Sequence, residues 1–363
     1  MKSIRYIRNL SAKMMMLLFP VYLGAQGLQS TAGIQITVTD SLKIVFNDAG
    51  FINNGGFRAG NSSVIFTGSS LNAQPLIGGS HSISFHQLEI DRAINDVQMY
   101  TDIQVNESVF MNRGNLQLNN HTLDLGRTGY ITGEKNNSRI AGINGGRIKK
   151  TILLNAPQAV NPGNIGVEIN SNANLGETVI IRGHEKLPGF SGRAPINRYF
   201  DIIPQWNNRL QATLTFHFLD AELDTTAKNE LVLFSNEGNL NQWTLLGKDL
   251  SDVNRIIKTN ISQLNRFTLA GAVNQNLVKK GKTYIQVFPN PATNWFTILV
   301  VSNSDKKVVL NLYDAAGRLL EQKNENLRPG ANTISWDIGK YPSGTYHLLF
   351  NDPYAETIQV IRL

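Results

Sequence analysis

The sequence predicts an all-β protein, and three observations carry that prediction. Short apolar runs of alternating character fill the chain from about residue 34 onwards, Asn and Gly separate them, and the long Ala/Glu/Lys/Leu blocks that would mark helices are missing. With 363 residues the chain can form two or three domains, each burying its own core. The expected order is a leader over 1–25, a β-solenoid-like or hairpin-rich region over 26–189, a β-sandwich module over 190–272, a linker over 273–283 and a second, immunoglobulin-like β-sandwich over 284–363.

The leader is predicted from its three-part order. Lys2, Arg5, Arg8 and Lys13 precede MMMLLFPVYL (Met14 to Leu23), and Gly24 and Ala25 then offer small residues before Gln26. Basic, apolar and small in that sequence is what an export signal needs, so cleavage between Ala25 and Gln26 is expected, after passage through the Sec translocon. Ten apolar residues are too few to span a bilayer. No cysteine follows, which removes a lipid anchor and any disulfide framework.

The net charge of +7 falls to about +3 once the four basic residues of the leader are gone. The densest remaining cluster is GGRIKK (Gly145 to Lys150), where Arg147 and Lys149 flank Ile148 as on the wet face of a strand. Nucleic acid, which needs clustered charge interleaved with stacking aromatics, is not an expected partner.

From Ile34 to Glu185 the runs SVIFTG, SISFHQLEI, NLQLNNHTLDLG and RIKKTILL recur at spacings of about twenty residues. That spacing suits the rungs of a right-handed β-solenoid, in which stacked neighbours complete a core no rung can bury alone. A sandwich of hairpins would give a similar string. Leu116, Leu118, Leu123 and Leu125 are predicted to face inward, with the chain turning at Asn119-Asn120. From Phe190 to Gly271 the runs are longer, with turns every eight to twelve residues, the pattern of a sandwich. Leu214, Phe216 and Phe218 alternate with polar residues there, and Trp243 is expected in the core. The order RYFDI, TLTFHFLDAEL, LVLF and W resembles a module of exported Bacteroidota surface proteins, and that resemblance implies no enzymatic activity.

The tail begins VFPNPATNWFTI. Proline fixes its own φ, pushes the preceding residue towards extended geometry and withholds a backbone donor, so Pro289 and Pro291 around Asn290 end one strand before another starts. Phe296, Ile298 and Val300 are predicted inward, as are Val308, Leu310 and Leu312. YDAAGRLL is predicted as a hairpin with Gly317 at positive φ. The ordered set is PNPAT, VVLNLYDAAGRLL, NTISWDI, PSGTYHLLF and a strand that closes at Leu363. In it the tail resembles the type A C-terminal sorting domain of the type IX secretion system, over roughly residues 284 to 363. The resemblance implies recognition by the outer-membrane type IX machinery, removal of the tail during export, and cargo that is secreted or joined to surface lipopolysaccharide. It places the sorting signal on Pro289, Asn290, Pro291, Gly317, Gly344, Tyr346 and the strand Thr357 to Leu363. The tail ends QVIRL with a single basic residue, where many family members have a Lys-rich approach.

Little in the sequence points to catalysis. GKT at Gly281 to Thr283 lacks the glycine that a phosphate loop needs five residues earlier, since that position is Asn276. The six histidines, His81, His86, His121, His184, His217 and His347, show no metal-ligand spacing, and no GxSxG elbow occurs. No metal or cofactor is expected. The best catalytic candidates are Glu89 and Asp91 in HQLEIDR, which also holds His86 and Arg92. On a strand the two carboxylates share a face about 6.6 Å apart, near the separation that glycoside hydrolysis uses. A solvated polar face opposite buried Leu88 and Ile90 produces the same pair by alternation alone. Three functions stay open: a non-enzymatic surface adhesin, structural or interaction protein; a polysaccharide hydrolase or lyase with help from Glu168, Glu177 or Glu185; and a glycan-binding module using Tyr100, Tyr130 and Trp206.

Overall fold

The computed structural model describes residues 27–190, 195–238, 243–272, 284–302, 304–350 and 357–363. The leader with its Ala25–Gln26 cleavage point, the linker 273–283 and the GKT triplet lie outside them. The described chain is all-β, and its first part is a solenoid of about six turns rather than a stack of hairpins.

The solenoid follows from the spacing of the apolar runs. Val45 pairs in parallel with Ile65, and Ile103 with Leu123, each twenty positions on. Two parallel sheets result. One runs through Leu28–Ser30, Phe51–Asn53, Leu76–Gly78, Val97–Met99, Leu116–Gln117 and Ile140–Ala141. The other runs through Lys43–Asn47, Ser63–Gly68, Ile83–Arg92, Ile103–Arg113, Thr122–Asp124 and Arg147–Asn155. Leu88, Ile90, Leu116, Leu118, Leu123, Leu125 and Ile148 are buried between them. Aromatic rings extend the column at the first rungs, with Phe46 stacked on Phe66 at 4.9 Å. Asn119 and Asn120 both adopt positive φ, 46° and 66°, and turn the chain where the sequence predicts. A polar ladder also runs inside: the fully buried Asn53 accepts from Ser30 Oγ at 2.8 Å and donates to the Ser82 carbonyl.

Strand pairing does not stop at the last rung. Arg147–Asn155 pairs antiparallel with Asn174–Gly183, which pairs with Pro195–Pro204, and the sheet continues through Arg266–Gly271, Leu231–Asn236 and Thr244–Gly247. A second sheet, Val167–Asn170, Ala212–His217, Arg255–Ile261 and Leu250–Asp252, packs across it to make the sandwich. Leu214, Phe216 and Phe218 lie in the shared core, and Phe216 meets Phe200 edge-on at 4.9 Å. Trp243 is half-buried rather than central, resting on Phe190 with its indole N–H donating to the Pro188 carbonyl.

Two buried ion pairs lie at the junction of solenoid and sandwich, the first joining the two and the second within the sandwich. Arg182 grips both oxygens of Glu134 at 2.7 and 2.8 Å, and Arg198 donates twice to Glu222 Oε1. Burial pushes the Glu134 carboxyl up, but the charge and hydrogen bonds of Arg182 outweigh it and hold the carboxyl below its ordinary range. His184 beside them is kept well below the usual histidine range by burial and by Arg182, Arg198 and Arg139.

The tail is a separate two-sheet sandwich. Tyr284–Phe288, Trp295–Ser302 and Gly330–Asp337 form one sheet; Leu319–Leu327, Lys306–Asp314, Gly344–Phe350 and Ile358–Arg362 form the other. Phe296, Ile298, Val300, Val308, Leu310 and Leu312 all enter its core, around the fully buried Trp336.

Candidate functional site

The two prolines and the asparagine of VFPNPATN turn out to serve the last strand. Ile358–Arg362 pairs along one edge with Gly344–Phe350. Its other edge would be bare, but the side-chain amide of Asn290 lies along it, donating to the Gln359 carbonyl at 2.7 Å and accepting from the Ile361 N–H at 2.8 Å. Ala292 continues the pairing through the Ile361 carbonyl and the Leu363 N–H. An amide side chain here does the work of a peptide group. Pro289 and Pro291, both exposed, follow cis peptide bonds and bring no N–H that would need a partner beside it.

The other tail residues divide into turn and core. Gly317 has φ 79° and closes the hairpin through Asp314, as its sequence position predicts. Gly344 is exposed at the start of its strand with open space where a Cβ would stand. Tyr346 is buried, and its hydroxyl donates to the Pro342 carbonyl. Val360 is fully buried, so the strand Thr357 to Leu363 is anchored by its middle residue as well as by both edges. Arg362, the single basic residue of the terminus, donates to the Thr293 and Gly339 carbonyls and ties the strand to the PNPAT loop. Arg362 lies within the strand Thr357 to Leu363 on which the resemblance places the signal; its tie to the loop is what the sequence alone does not give, since Thr293 and Gly339 are 69 and 23 residues away.

Glu89 and Asp91 both sit half-exposed on the outer face of Ile83–Arg92, opposite buried Leu88 and Ile90. In register Glu89 lies between Ile65 and Phe110. Asp91 is engaged: Arg113 donates to both its oxygens at 2.6 and 3.1 Å, and Asn112 adds a third bond. The Arg113 hydrogen bond holds the Asp91 carboxyl below its ordinary range. His86 pairs with Glu107 on the next rung, and Arg92 turns inward to Asp48. Glu168 meets His217, Glu177 meets Arg127, and Glu185 accepts from Tyr199. These carboxylates are spread over separate partners and do not face one another. Among the described residues, no three His, Asp or Glu side chains converge as metal ligands.

Residues 286–361 match the family model of the secretion system C-terminal sorting domain. The tail is a type IX secretion sorting domain. It directs export to the cell surface or the medium and implies contact with the type IX machinery. Among curated proteins none matches the chain. A crystal structure of dimeric latent PorU from Porphyromonas gingivalis is similar at 13% identity and a TM-score of 0.21, over 58% of this chain and 21% of that one.

Proposed function

We propose that this is a non-enzymatic surface or secreted protein of a Bacteroidota bacterium, in which solenoid and sandwich form a rigid interaction body and the sorting domain is its address. Its leader is removed after Ala25 by way of the Sec pathway, and the sorting-domain residues named above are what the machinery reads. The observation that carries the export half is the sorting domain itself; the interaction half is supported by the outer face of the solenoid. Rung-to-rung pairs such as Asp91–Arg113 and Asp124–Lys149 engage charged groups there, while Tyr100 and Tyr130 on the solenoid and Trp206 on the sandwich are exposed, at 57%, 44% and 51%. Exposed aromatic faces with polar neighbours suit extracellular glycans or surface lipopolysaccharide as partners. Screening the exported protein against polysaccharides, scoring binding and product release separately, tests this. Binding without product supports it; product release that disappears on replacing Glu89 and Asp91 would establish a hydrolase or lyase instead.

A further inference from the structure

The sorting domain packs against the sandwich through a core of its own. The strand Trp295–Ser302 is apolar on both faces. Ile298 and Val300 enter the domain's interior, whereas Leu299 and Val301 point the other way and are still buried. A sandwich strand with a free outer face would alternate with polar residues there. The cover is Phe190, Phe234 and Leu245 of the sandwich, which form one apolar cluster with Leu299, Val301 and Ala331. Polar contacts border it. The Lys248 N–H donates to Thr333 Oγ1 at 3.3 Å, and Asn229 Nδ2 donates to the Pro329 carbonyl at 3.3 Å.

We propose that the sandwich holds the sorting domain non-covalently through this face, so that cutting the chain between residues 272 and 284 leaves the two pieces together. Scission and release are then separate events in export; this rests on the export reading for its meaning, though not for its test.

Lys248 makes the hold sensitive to pH. Its side chain is 7% exposed at the edge of the contact, where Nζ donates to the Asn229 carbonyl at 2.8 Å. Burial alone pushes the amine down to about 8. The charged groups on the elements around it are Lys228 and Glu230 on the turn of Asn229, Asp249 bound to Lys258, and Arg328 ahead of Gly330–Asp337. A lysine at about 8 when docked and 10.5 when free binds fewer protons in the docked state, so docking strengthens as pH rises through that window. Between pH 7 and pH 9 the gain is at most about tenfold, the limit reached when undocking frees the side chain fully.

The test uses the whole chain with a protease site placed between residues 274 and 282, cut to completion and run on a sizing column at micromolar concentration. The two fragments are expected to elute together and to bind more tightly at pH 9 than at pH 7, by up to about tenfold. Lys248→Met should tighten the hold at pH 7 and remove the pH dependence. Leu299→Asp should separate the fragments, with circular dichroism of the uncut variant confirming that its strands persist. Wild-type fragments that part at both pH values would overturn the proposal. So would co-elution that survives Leu299→Asp in a folded variant. A failed export assay would count against the address reading and leave this result unchanged.

Discussion

Asn290 carries two hydrogen bonds to the terminal strand from an exposed position. Replacing it with Ala should therefore destabilise the sorting domain by about 1–2 kcal/mol, measured by chemical denaturation. Asn290→Asp keeps the acceptor for Ile361 but sets a carboxylate oxygen against the Gln359 carbonyl, so at neutral pH it should destabilise at least as much as Asn290→Ala. A different outcome is expected for Glu89 and Asp91. The double replacement by Ala removes only half-exposed contacts, chiefly the Asp91–Arg113 pair, and should cost about 1 kcal/mol or less while leaving binding intact. The sequence showed that an asparagine sat between two prolines, but not that its amide would stand in for a missing strand. That depended on Gln359 and Ile361, about seventy residues away, and a local reading has no access to such a partner.

Among the elements, the inner face of each strand was readable. Leu88 and Ile90, Leu116, Leu118, Leu123 and Leu125, and Phe296, Ile298 and Val300 are buried as their alternation predicts. The pairing partners were less readable, because alternation fixes a strand's face and not its neighbour. RIKKTILL is read on its own as one more solenoid run. In the fold it is parallel to Thr122–Asp124 on one side and antiparallel to Asn174–Gly183 on the other, and so joins solenoid to sandwich. The arginine that seals this seam carried no warning, since Arg182 and Glu134 are 48 residues apart. Arg182→Met would leave Glu134 buried without its cation and should cost about 3–5 kcal/mol by denaturant titration. The same seam should set the acid limit. Glu134 and His184 both have lowered values in the fold, so their contributions are whole above the unfolded values and shrink as pH falls, because the unfolded chain takes up protons first. The His184 part is lost below about pH 6.5 and the Glu134 part below about pH 4.5. Stability measured from pH 7 to pH 4 should decline in that order, and His184→Gln should flatten the first part.

Across the whole molecule, an address is joined to a body, and the address depends on its last seven residues. Val360 fills the sorting-domain core, Arg362 and Asn290 tie the strand to the PNPAT loop, and Gly344–Phe350 would lose its edge partner without it. The export function was legible because the order of motifs in the tail is specific. The contact that buries Leu299 and Val301 was not, because ILVV reads equally as a strand inside a single domain. The most direct measurement is to delete Thr357–Leu363 and follow the protein by fractionation in a host with the type IX machinery, beside a reporter fused to residues 276–363. The truncated protein should stay in the periplasm with its leader removed, and the reporter should reach the surface or the medium. Truncated protein at the surface, with the reporter left behind, would contradict the account.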